Sequence, residues 1–206
     1  MSRCPFSSLN TAMDNASRSD RTRRAVIQAA LAIIVRDGPR QLTFDAIAAE
    51  SGISKGGIMH QFPNKAAVLQ GLLEHQIQYF AEFSQRHVAS QPADKRDSLL
   101  DAQIATLKEA TSDPQSVVFA MLAAFVEDPS LLAVIREGSG EKLKQILATS
   151  ADRDMSLVRW IAAYGLTVTS LVGLWPLGDE ERQRVFDCLL DDTRWQPLAD
   201  RQQTPG

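Results

Sequence analysis

The chain has 206 residues, of which 44% are hydrophobic and 23% charged, with a formal net charge of −3 and a pI of about 5.6. That is enough sequence for one or two small domains with a real core, and the acidic balance argues against a polycation that coats nucleic acid indiscriminately. Two cysteines, Cys4 and Cys188, stand in no metal-binding or disulfide spacing, so a reducing cytoplasm is the expected compartment.

Residues 1–17 are rich in Ser and Asn, show little periodicity and lack the apolar run of a signal peptide, so they are expected to form a flexible tail. From about Asp20 the pattern becomes helical. Val26, Ala29, Ala30, Ile33 and Ile34 repeat on one face, and Gly38-Pro39 ends the run. Thr43 reads as the N-cap of a short second helix with Phe44, Ile47 and Ala48 turned inward, and Gly52 as its left-handed stop. Ser54, only two residues on, is a second N-cap. It opens another short helix, which Pro63 closes. Asn64 then caps a long helix carrying Val68, Leu69, Leu72, Leu73 and Ile77, running to about Val88.

After a break at 90–94, apolar-periodic segments predict helices at about 94–111, 114–127, 129–149, 153–175 and 179–191. With no alternating strand pattern, the expectation is an all-α fold of about nine helices. Trp160–Trp175 forms the longest uncharged apolar run, but it is shorter than the roughly 20 residues that span a bilayer. It also holds Tyr, Thr and Ser, which favours a buried helix. Residues 195–206, with two prolines and three glutamines, read as a frayed tail. His60, His75 and His87 stand in no metal-ligand spacing, Cys188 has no histidine partner in the sequence, and no glycine loop would cradle a phosphate. No catalytic role, metal or cofactor is expected.

The charge is unevenly placed. From Arg18 to Lys65 there are eight basic and four acidic residues, a surplus of four on a chain whose net charge is −3, so the remainder carries −7. A basic amino-terminal part on an acidic body suggests two jobs in one chain. Three short helices with a very tight turn between the second and third are the arrangement of a helix-turn-helix. At about 100° per residue, turning Ile58 and Phe62 inward leaves Gly56, Gly57, Met59 and His60 outward. A helix face bare of side chains lets another backbone come close. Lys55 and the positive end of the helix dipole add an attraction for phosphate or a groove edge.

The stretch "LTFDAIAAESGISKGGIMHQFPNKAAVL" resembles the DNA-binding signature of the TetR family of transcriptional regulators. Thr43, Ile47, Ala48, Gly52, Ile53, Ser54, Gly56, Ile58, Phe62, Asn64, Lys65 and Leu69 match it at fixed spacing, and "TRRAVIQAALAIIVRDG" resembles the family's first helix. Met59 stands where the family usually has Tyr, and Gln61 where an aromatic or His is common. The resemblance implies a DNA-binding domain over 18–66 and a ligand-binding and dimerisation domain over 67–194.

It further implies that Thr43 caps its helix and bonds a phosphate, and that Ser54 caps the recognition helix. Lys55, Gly56 and Gly57 would enter the major groove, with Lys55 donating to guanine. Met59 and His60 would meet thymine methyl, sugar or phosphate, and Lys65 and Arg23 or Arg24 would grip phosphate. In the carboxy-terminal body, Phe119, Met121, Leu122, Phe125, Trp160 and Tyr164 are candidate walls of a pocket for an apolar or aromatic effector. Residues 155–175 are apolar nearly all round and should be buried on several sides. With small residues among them, and with the stripe of the last helix, they form a candidate two-fold interface to a second copy (Leu166, Ser170, Gly173, Val185, Phe186 and Leu189), an intramolecular core being the alternative. The expected partners are a palindromic DNA operator, a second copy of the chain and a small effector, without a membrane. The expected action is that of a repressor, with an activator, or a ligand sensor that contacts DNA weakly, as the alternatives.

Overall fold

The computed structural model describes the backbone of residues 6–17, and residues 18–93, 95, 97–112, 125, 126, 128–174, 176 and 178–195 in full. Regular structure among the described residues is entirely helical, as expected. We label its eight α-helices α1 (Phe6–Asp37), α2 (Phe44–Ser51), α3 (Lys55–Gln61), α4 (Lys65–Ala89), α5 (Ser98–Ala110), α6 (Leu131–Thr149), α7 (Arg153–Leu171) and α8 (Asp179–Leu190). The helix expected at about 114–127 lies almost wholly outside the described residues. None of the described helices is long and apolar enough to cross a membrane. Helix α1 begins at Phe6 rather than near Asp20. Weak periodicity there does not stop it, because no proline or glycine stands between Phe6 and Gly38.

The chain divides into two compact units, Met1–His75 with Phe119–Pro129, and Gln76–Val118 with Ser130–Gly206. The first has a core drawn from four helices: Val26, Ala30, Ile33 and Ile34 of α1, Ile47 of α2, Ile58 of α3, and Val68 and Leu69 of α4, with Phe62 at the end of α3. Gly71 lets α4 close on this core. A Cβ there would lie 2.8 Å from Cε1 of Phe62 and 2.9 Å from Cδ1 of Ile27.

In the second unit α5 is the central helix, buried at every position from Leu100 to Leu107. Leu100, Ile104 and Leu107 pack with Ile146 of α6, Ala163 and Leu166 of α7, and Phe186 and Leu189 of α8. A charged cluster crosses this core. Arg159 of α7 is 3% exposed, and its Nη2 donates to Asp101 Oδ1 at 2.9 Å, Asp192 Oδ1 at 3.1 Å and the Leu189 carbonyl at 2.6 Å. Its Nε donates to the same carbonyl at 3.0 Å. Lys95 Nζ pairs with the other Asp101 oxygen and lies 3.5 Å from Asp192 Oδ2. Two cations and two carboxylates thus fasten the end of α8 to α5 and α7.

Helix α7 is not buried on several sides. Ala163, Leu166 and Thr167 face the core, while Val158, Ile161, Val168 and Val172 are 48–54% exposed on the opposite face.

Candidate nucleic-acid interface

Two caps and one left-handed residue set the α2–α3 turn. Thr43 Oγ1 accepts from the Ala46 amide at 3.1 Å and starts α2. Gly52, at φ 70°, ends it, a conformation that costs other residues about 1 kcal/mol or more. Ser54 Oγ accepts from the Gly57 amide at 3.2 Å and starts α3. Asn64 Oδ1 accepts from the Ala67 amide at 2.8 Å and starts α4. The capping roles expected of Thr43, Ser54 and Asn64 are therefore those the structure gives them.

On α3, Ile58 and the terminal Phe62 point inward and are 0% and 1% exposed. Lys55, Gly56, Met59 and His60 are exposed. The two glycines differ in kind. A Cβ on Gly56 would meet nothing within 4 Å, so packing does not require glycine there. A Cβ on Gly57 would lie 3.2 Å from Ile53 Cγ2 and 3.3 Å from the capping Ser54 Oγ, and Gly57 is half-buried. Gly57 therefore seats the cap, and Gly56 alone is bare without an internal reason.

The charged residues are more tied down than their sequence suggests. Lys55 Nζ donates to both carboxylate oxygens of Asp45, at 2.9 and 3.0 Å. Lys65 Nζ donates to the Pro39 carbonyl at 3.2 Å, linking α4 to the turn before α2. The Arg23 guanidinium pairs with Glu74 at 3.0 Å and lies 4.6 Å from the centre of the Phe62 ring, which makes it a strut inside the first unit. Arg24 is exposed. Gln61 fills the position where the family often has an aromatic or His, and its Nε2 donates to Ser19 Oγ at 3.0 Å, bracing α3 against α1. Sequence reasoning missed Asp45, Ser19 and Gln61 as partners. An acidic residue in a first turn also suits the helix dipole by itself, so Asp45 carried no distinct signal.

Three of the six proposed pocket walls, Phe125, Trp160 and Tyr164, fall among the described residues. Phe119, Met121 and Leu122 lie outside the described residues, and Phe125 belongs to the first unit. The Trp160 and Tyr164 rings lie against the core with centroids 4.7 Å apart and planes tilted by 37°, and the Tyr164 hydroxyl lies 2.7 Å from Ser139 Oγ. Of the expected dimer residues, Leu166, Phe186 and Leu189 are at most 5% exposed and belong to the core. They pack inside one chain rather than at a two-fold interface, because the helical phase turns Val158, Ile161 and Val168 outward instead. Ser170 and Val185 are half-buried and Gly173 is exposed.

The fold and the capped two-helix turn define a helix-turn-helix protein with a second helical unit. Residues 26–72 match the model of the bacterial regulatory proteins of the tetR family, and residues 97–194 match the tetracyclin repressor-like carboxy-terminal domain. The chain belongs to the TetR family, a class of transcriptional regulators rather than enzymes. It is 36% identical over 62 residues to the HTH-type transcriptional regulator SrpR of Pseudomonas putida, a match spanning 30% of this chain and 29% of SrpR. At the same identity and over the same number of residues it resembles TtgW, an uncharacterized HTH-type transcriptional regulator also of Pseudomonas putida, spanning 46% of that protein. The chain thus spans less than half the length of either relative. Among solved structures, the multidrug binding protein EbrR complexed with malachite green is similar at a TM-score of 0.58 and 22% identity, over 81% of this chain and 96% of that one. A TetR-like transcriptional regulator from Rhodococcus sp. RHA1 is similar at a TM-score of 0.58 and 15% identity, over 86% and 96%.

Proposed function

We propose that the chain is a ligand-responsive repressor that binds a palindromic operator as a dimer and is released by a small apolar or aromatic effector. The observation that carries the reading is the exposed face of α3. Gly56 is bare without a packing reason, Met59 and His60 flank it, and Ile58 and Phe62 anchor the helix beneath. Such a face suits close approach to a groove, with phosphate contacts from Thr43, Lys65 and Arg24 fixing the register. EbrR, whose solved complexes hold malachite green and ethidium, supports an aromatic effector class. A gel shift on the chain's own upstream region tests the reading. A folded dimer that binds no DNA at low salt would sink it.

Two substitutions separate the roles. Lys55→Ala is expected to relax sequence preference at one base pair by about tenfold. Lys65→Ala is expected to weaken binding across sequences and to lower the salt slope by about 1. Equal effects of both changes on every sequence would contradict that assignment.

The exposed stripe Val158, Ile161, Val168 and Val172 on α7 supports the dimer. Ile161→Arg is expected to raise the dimer dissociation constant by roughly 100-fold or more, because two copies would bury like positive charges against each other. Sedimentation measures it. An unchanged dimer would place the interface elsewhere.

A further inference from the structure

We propose that Asp45 is a specificity-determining residue: it holds the Lys55 ammonium and makes it available to a base edge but not to phosphate in general. This rests on the DNA-binding reading and adds a residue to it.

Both Asp45 oxygens accept from one nitrogen, at 2.9 and 3.0 Å, across the turn from the first turn of α2 to the first residue of α3. An ammonium has three protons, so a nitrogen shared by two carboxylate oxygens keeps donor capacity for one further acceptor. The side chains are 78% and 52% exposed, so the pair adds little to stability and folding does not explain it. Its effect lies in what the surface shows to DNA. Nonspecific binding scales with the number of cations that displace counterions from phosphate. A lysine paired with a carboxylate contributes almost nothing to that count, and the carboxylate repels a phosphate that approaches it. A guanine edge is different, because it takes the one remaining proton and leaves the pair intact. Asp45 thus withholds Lys55 from random sequence while aiming it for readout. Arg24, exposed on α1, is under no such restraint among the described residues.

The test compares two duplexes in fluorescence anisotropy over a salt series. One is the tightest binder that the wild-type chain selects from a randomised pool, and the other is its scrambled counterpart. Asp45→Asn keeps the shape and a first-turn hydrogen-bonding group. It is expected to bind the scrambled duplex about 3–10-fold more tightly, with a salt slope steeper by about 1, while the selected duplex gains less, so that discrimination falls. In a Lys55→Gln background, Asp45→Asn is expected to leave the discrimination ratio unchanged, because Asp45 acts through Lys55. If Asp45→Asn strengthens both duplexes equally in both backgrounds, it acts as a mere charge and the inference is overturned. A wild-type chain that selects no duplex overturns the DNA-binding reading and this inference together.

Discussion

Arg159→Ala is expected to destabilise the second unit by about 3–5 kcal/mol, the cost of breaking a buried ion pair from one side. Asp101 is 1% exposed, and burial already pushes its carboxyl above the usual carboxylate range despite Lys95 beside it and Arg159 opposite. Without Arg159 that carboxylate keeps only Lys95, and the Leu189 carbonyl loses two donors at the end of α8. Urea unfolding followed by tryptophan fluorescence measures the loss, since Trp160 and Trp195 both pack on this core. The pH dependence identifies the source. A buried carboxyl with a raised folded value binds its proton more readily folded than unfolded, so its contribution to stability falls as pH rises through that interval. The deficit of Arg159→Ala should therefore shrink as pH is lowered toward protonation of Asp101. The double variant Asp101→Leu, Arg159→Met should recover most of the loss, because well-packed apolar residues replace buried pairs at little cost. A single variant within about 1 kcal/mol of wild type would show the cluster to be solvated.

The first unit was readable because local chemistry dictates it. Thr43, Gly52, Ser54 and Asn64 act on atoms three or four residues away, so capping rules place them without knowledge of the fold. The inward turn of Ile58 and Phe62 follows from the helical period in the same way. Partnerships over longer distances were not readable. Asp45 meets Lys55 across a turn, Ser19 meets Gln61 across two helices, and Arg159 meets Asp101 across the second core. Each of these residues looks in sequence like an ordinary surface charge or polar group. On α7 the apolar pattern is nearly uniform, so periodicity alone does not say which side faces inward. The structure settles it by burying Leu166 and exposing Ile161. The amino-terminal turns of α1 are hidden for a related reason: a helix can continue through polar sequence when no breaker interrupts it.

Phe62→Ala is expected to cost the first unit about 3–5 kcal/mol and to abolish sequence-selective DNA binding at temperatures where the wild type is fully active. The ring is 1% exposed and closes α3, with its amide donating to the Ile58 carbonyl at 2.8 Å. It fills the space that Gly71 leaves open on α4 and carries the Arg23 guanidinium on its face. Truncation opens a cavity bordered by Ile27 and Gly71 and removes the cation–π contact, worth about 0.5–2 kcal/mol by itself. Helix α3 has only seven residues, too few to hold its form without tertiary support. Amide exchange in α3 should therefore rise by more than in α1, which is far longer. Phe62→Leu restores apolar volume but not the ring face. It should recover most of the stability while leaving Arg23 held by Glu74 alone. If Phe62→Ala kept the wild-type protection of α3 and its selectivity for DNA, the presentation of the Gly56 face would not depend on this anchor.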